Sequence, residues 1–128
     1  MAFEAAFNTG HTIVMDAGED HGGQNLGPRP MHVLLVALGG CTGMDVISFL
    51  RKMRQPVEAY EVRVDGDRAD DDPKVYTSIT IRHIVTGDVD EARLAHAIEL
   101  SEDKYCSASA MLGEVADIKV EWEIRKPR

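Results

Sequence analysis

The six residues Val33-Leu34-Leu35-Val36-Ala37-Leu38 are all apolar, inside a longer stretch from Met31 to about Met53 that can form one continuous helix. A helix with no polar side has to be covered all round. Pro30 suits the first helical turn, and Pro56 ends the run. The later half is amphipathic, with Met44, Val46, Ile47 and Leu50 set against Asp45, Ser48, Arg51, Lys52 and Arg54. A chain of 128 residues has little of its own to wrap such a helix, so an obligate dimer is expected. Gly39, Gly40 and Gly43 each cost roughly 1 kcal/mol inside a helix relative to Ala. They therefore point to close approach by another helix, or by a substrate at Cys41.

The remaining elements follow from shorter patterns. Phe3, Ala5, Phe7 and Thr12-Ile13-Val14-Met15 predict a hairpin or two short strands, and the Gly-rich, Asp-rich stretch 17–29 a loop. Glu58 to Asp67 and Val75 to Thr86 alternate as half-buried strands, predicted to pair antiparallel across the turn Asp70-Asp71-Asp72-Pro73. Asp88 or Asp90 caps a second helix reaching Lys104; Cys106 to Leu112 reads as a short third helix and Ile118 to Ile124 as a last strand. No internal repeat interrupts a single domain over 1–128.

Composition removes several functions. The net charge is −8, from 22 acidic residues against 14 Lys and Arg, without a basic block, which disfavours nucleic acid and anionic membranes. No run is judged to approach the ~18 apolar residues of a span, and Met1-Ala2-Phe3-Glu4 does not open like a signal peptide, so a cytoplasmic location is expected. No G-x-G-x-x-G or Walker pattern supports nucleotide binding. His11, His21, His32, His83 and His96 have no short metal-ligand spacing with each other or with the cysteines, so no metal is expected.

Two thiols remain. In Gly39-Gly40-Cys41-Thr42-Gly43 the glycines leave the sulfur uncovered, which suits an accessible nucleophile in an apolar pocket, although a buried inert cysteine fits equally. Cys106 falls where the third helix starts, which favours a thiolate, or it fills the junction between helices. There is no C-x-x-C pair. His32 lies about 13.5 Å along the helix from Cys41 and cannot pair with it. Asp45 shares the Cys41 face and would raise its pKa unless a cation offsets it; Arg29, Arg51 and Arg54 are the candidates.

The run Pro30 to Val46, the strand pair with Asp70-Asp71-Asp72-Pro73-Lys74-Val75, and Glu99-Leu100-Ser101-Glu102-Asp103-Lys104-Tyr105-Cys106-Ser107 resemble the OsmC/Ohr family, from about Thr9 to Ile124. The resemblance implies an α+β, OsmC-like fold with antiparallel sheets wrapped around long central helices in an intertwined homodimer, its thiol sites at the subunit interface. It implies a thiol-dependent peroxidase for organic hydroperoxides: Cys41 attacks, Cys106 resolves the sulfenic acid as a disulfide, a dithiol restores both, and no cofactor is bound. The best-known peroxidase members carry a Glu just after the proline that precedes the helix, which together with an Arg organises the thiolate. Met31 stands there in this chain. That departure supports the alternative, a non-enzymatic module that binds a small hydrophobic ligand or senses oxidants.

Overall fold

The computed structural model describes residues 1–127, and the chain divides into two compact units, Met1–Val36 and Ala37–Arg128.

In the first unit, β1 (Phe3–Ala6) and β2 (Thr12–Met15) form the expected hairpin, with Phe3 opposite Met15 and Gly10 turning at φ +86°. The loop after β2 folds around Asp16, whose carboxylate accepts from the backbone N–H of Ala17 (2.8 Å), Gln24 (3.0 Å) and Leu26 (3.2 Å). Gly23 is required here, because a Cβ would run into the Ala17 carbonyl. Arg29 donates to Asn25 Oδ1 (2.6 Å) and to the Gly27 carbonyl (3.2 Å) of this loop. Helix α1 begins at Pro30.

Helix α1 (Pro30–Lys52) continues into the second unit and stops where Arg54 takes a left-handed conformation, φ 57°, before Pro56. β3 (Val57–Arg68) and β4 (Tyr76–Gly87) pair antiparallel, with Val62 opposite His83 and Val64 opposite Ile81. α2 (Glu91–Leu100) is capped by Asp90, whose side chain accepts from Arg93 N. A π-helical turn, Ser101–Tyr105, and α3 (Ser107–Leu112) follow, so α2 ends earlier and α3 starts one residue later than the sequence patterns predict. β5 (Asp117–Arg125) returns alongside β4.

Three expectations are corrected. β5 runs parallel to β4, which makes the sheet β3-β4-β5 mixed instead of antiparallel; the helical crossover from α2 to α3 is long enough to bring the chain back in the same direction. α1 is not covered all round, since Leu34, Val36 and Met44 are exposed. By length and composition α1 is also apolar enough to cross a membrane, contrary to the expectation that no run approaches a span. Its later half belongs to a packed core, where Val46 and Leu50 join Val85, Val89, Leu94, Ala97 and Ile98. Two of the glycines allow close approach by a strand: a Cβ at Gly39 would lie 3.1 Å from Val64 Cγ2, and one at Gly43 3.3 Å from Val62 Cγ2, whereas Gly40 faces open space.

Candidate functional site

Cys41 and Cys106 both belong to the second unit, on α1 and just before α3. Both are free thiols; Cys41 is half-buried and Cys106 buried. Burial pushes the Cys106 thiol up, the Ser109 hydroxyl and backbone N–H pull it down, and the nearby Cys41 thiol pushes it up again. Ser109 N donates to Cys106 Sγ at 3.4 Å, so the sulfur does cap α3. The net displacement is nevertheless upward, so the helix start does not yield the thiolate that the sequence suggested for Cys106.

Beside the thiols runs a chain of polar contacts that sequence reasoning missed. Thr42, the residue after Cys41, has its hydroxyl 2.8 Å from Ser101 Oγ and 3.1 Å from Glu102 Oε1. Ser101 in turn donates to Asp45 Oδ2 at 3.0 Å. Thr42 and Ser101 are wholly buried. Asp45, expected to act on Cys41, is thus held by the π-helical turn. Burial pushes the Glu102 carboxyl up; the Ser109 and Thr42 hydroxyls pull it down, and the charges of Asp103 and Asp45 push it up, leaving it above 4.5. Ser109 Oγ is buried and makes no hydrogen bond of good geometry, yet it lies near enough to Glu102 and Cys106 to pull both pKa values down.

The sheet supplies a second pair. Tyr60 hydroxyl and His83 Nδ1 are 2.6 Å apart, with their rings stacked at 5.9 Å. The hydroxyl lies 4.0 Å from where a Gly43 Cβ would be. Burial, with the charges of Asp45 and Glu102, pushes the Tyr60 phenol up, and burial brings His83 down to about 4, so the pair is neutral near pH 7.

Arg51 and Arg54 are exposed at the end of α1, and Arg29 is held in its own loop. His11, His21, His32 and His96 are exposed. Among the described residues no group of three or more His, Cys, Asp or Glu could hold a metal ion. Met31 is the second residue of α1 and half-buried.

A mixed sheet with an apolar helix carrying one thiol, and a second thiol after a π-helical turn, matches a known class. The chain belongs to the OsmC-like protein family, whose profile matches residues 22–122. It is 38% identical over 117 residues to Protein YhfA of Escherichia coli K12, covering 91% of this chain and 84% of that one. The crystal structure of a hypothetical protein from Aquifex aeolicus VF5 superposes with a TM-score of 0.83 at 31% identity, covering 100% of this chain and 97% of the other. An organic hydroperoxide resistance protein from Legionella pneumophila shares the fold alone, with a TM-score of 0.67 at 11% identity and coverage of 96% and 95%.

Proposed function

We propose that this protein is a thiol-dependent peroxidase that reduces organic hydroperoxides with Cys41 as attacking and Cys106 as resolving thiol, and is recycled by a dithiol. The observation that carries the reading is that the two thiols, 65 positions apart in sequence, come near enough for Cys41 to push the Cys106 thiol up. A sulfenic acid on Cys41 would meet a thiol that burial keeps protonated until it is called on to attack. Apolar neighbours in sequence, Val33 to Leu38 and Met44, favour alkyl or lipid-derived hydroperoxides over hydrogen peroxide.

The proposal includes one OsmC-like domain over 1–128, a cytoplasmic location and a homodimer. Exposed Val36 (69%) and Met44 (75%) on α1, and Met111 (76%) on α3, support the dimer, since large apolar side chains left in water call for cover. Met31, in place of a carboxylate, favours a second reading: a ligand-binding or oxidant-sensing module using the same thiols. Anaerobic reduction followed by stopped-flow mixing with cumene hydroperoxide separates the two. A peroxidase loses two thiols per chain rapidly and turns over with dithiothreitol; slow, stoichiometric or absent thiol loss would overturn the first reading.

A further inference from the structure

The polar chain beside the thiols sets a problem of proton counting. Three contacts link two carboxyl groups through two hydroxyls: Glu102 to Thr42 at 3.1 Å, Thr42 to Ser101 at 2.8 Å, and Ser101 to Asp45 at 3.0 Å. Each hydroxyl brings a single proton. If both carboxyls were ionised, Thr42 would donate to Glu102 and Ser101 to Asp45, leaving two hydroxyl oxygens 2.8 Å apart with no proton between them. Thr42 and Ser101 are both 0% exposed, so bulk water cannot relieve that contact. One further proton, on either carboxyl, resolves it. With a carboxyl proton on Glu102 the chain runs in one direction, Glu102 to Thr42 to Ser101 to the Asp45 carboxylate, and every contact is satisfied.

We propose that Glu102 is the proton reserve of the thiol site: it carries a carboxyl proton in the resting, reduced protein and gives it up as Cys41 and Cys106 are oxidised. The groups that face it are consistent with this. Asp45 from α1 and Asp103 beside it push its pKa up along with burial, and the hydroxyls of Thr42 and Ser109 only partly offset them. Tyr60, from the sheet, feels the Glu102 charge but brings no cation. Ser109, on α3, joins Glu102 to the thiol pair, because its buried hydroxyl has no partner of its own and lies near both Glu102 and Cys106, the thiol that in turn feels Cys41.

This inference rests on the peroxidase reading for its delivery step, and the protons then balance. The Cys41 thiolate attacks the terminal peroxide oxygen, the S–O bond forms as the O–O bond breaks, and the departing alkoxide takes the Glu102 proton to become alcohol. Cys106 then attacks the sulfenic sulfur; the S–S bond forms, hydroxide leaves, and the Cys106 proton converts it to water. Two electrons from two sulfurs and two protons, one from Glu102 and one from Cys106, reduce one hydroperoxide. Glu102 ends ionised. Reduction of the disulfide by a dithiol returns one proton to Cys106 and one to Glu102.

Two measurements on the full-length reduced protein test it. The infrared spectrum of the wild type at pH 5, above the ordinary glutamate value, is expected to show a protonated carboxyl band that Glu102→Gln lacks and that disappears when one equivalent of cumene hydroperoxide is added. Absence of the band in reduced wild type overturns the inference whatever the peroxide does. In rates, an alkoxide needs a proton on leaving, while the acetate leaving peracetic acid does not. The ratio of rate constants for cumene hydroperoxide and peracetic acid should therefore fall about 100-fold in Glu102→Gln, the low end of general-acid effects, and recover largely in Glu102→Asp. An unchanged ratio in Glu102→Gln overturns the delivery step while leaving the peroxidase reading intact. A wild type that loses no thiol to cumene hydroperoxide removes that reading and the delivery step together, and the carboxyl band still decides whether Glu102 holds the proton. Should Glu102→Gln fold poorly, Ser109→Ala supplies the second variant: loss of the relay lowers the same ratio, and no change there counts against the route.

Discussion

Asp16 and Glu102 are both carboxylic acids drawn out of water, and they are displaced in opposite directions. Burial alone would push Asp16 up, but the N–H groups of Gln24, Leu26 and Ala17 and the positive N-terminus bring it below 3.8. Glu102 has hydroxyls in place of N–H groups and two aspartates as neighbours, and it ends above 4.5. An amide N–H can only donate, so several of them favour their partner as an anion. A hydroxyl can donate or accept, so it tolerates either state. Asp16 is consequently a clamp for a loop, while Glu102 can exchange its proton.

The comparison breaks most sharply at the sulfurs that Glu102 is held to serve. Cys41→Ser should reduce peroxide consumption to background, whereas Cys106→Ser should allow one oxidation and then accumulate sulfenic acid without turnover. Mass spectrometry after equimolar cumene hydroperoxide reads both, and two free thiols in treated wild type would contradict the pairing. A smaller effect is expected at the link between Glu102 and α1. Thr42→Val deletes a buried hydroxyl and strands Ser101 and Glu102, which should cost about 1–3 kcal/mol in urea unfolding. A neutral result would mean that the hydroxyl chain contributes little to the fold.

Much of the scaffold is legible in the sequence because it is local. Pro30 and Pro56 bracket α1, two-residue alternation marks β3 and β4, and Asp90 signals α2 through its cap. The two cysteines stand in recognisable surroundings. The polar chain is not legible: Thr42 and Ser101 are 59 residues apart, and either alone reads as an ordinary helix residue. Glu102 looks like surface charge, whereas the structure half-buries it against the Thr42 hydroxyl. The direction of β5 depends on how α2 and α3 carry the chain across, which no pattern within Asp117–Arg125 reveals. The exposure of Val36 and Met44 is equally invisible, because hydrophobicity states a need for cover and not its source.

pH separates the two acids by sign. In carbon-13 NMR titration the Asp16 carboxyl should inflect below 3.8 and Glu102 above 4.5. For Asp16 the folded pKa lies below the unfolded one, so its stabilisation is present above 3.8 and is lost as pH falls through the folded value. For Glu102 the folded pKa is raised, so its contribution is present below 4.5 and is lost as pH rises through the folded value. His83, brought down to about 4, behaves like Asp16 in this respect: its contribution is present above 6.5 and is lost as pH falls toward 4. Unfolding midpoints of wild type and Glu102→Gln across pH 4 to 7 should therefore diverge in slope. Parallel curves would mean that the Glu102 pKa does not change on folding.

The smallest effect is expected at Asp16 itself. Its carboxylate gathers two backbone N–H groups from the far side of the loop, Gln24 and Leu26, and a third from its neighbour Ala17. Asp16→Ala removes the acceptor for all three, but the loop lies at the surface and Asn25 N still donates to the Ala17 carbonyl at 3.1 Å, so the backbone path survives. The freed amides can turn to water, which limits the loss to the difference between a charge-assisted bond and a solvent one. Hydrogen exchange at Gln24 and Leu26 should then quicken about tenfold, while amides paired in the β1–β2 hairpin remain protected. Equal loosening of Glu4 and Val14, which pair across that hairpin, would show Asp16 to be the support of the whole unit and not the clamp of one loop.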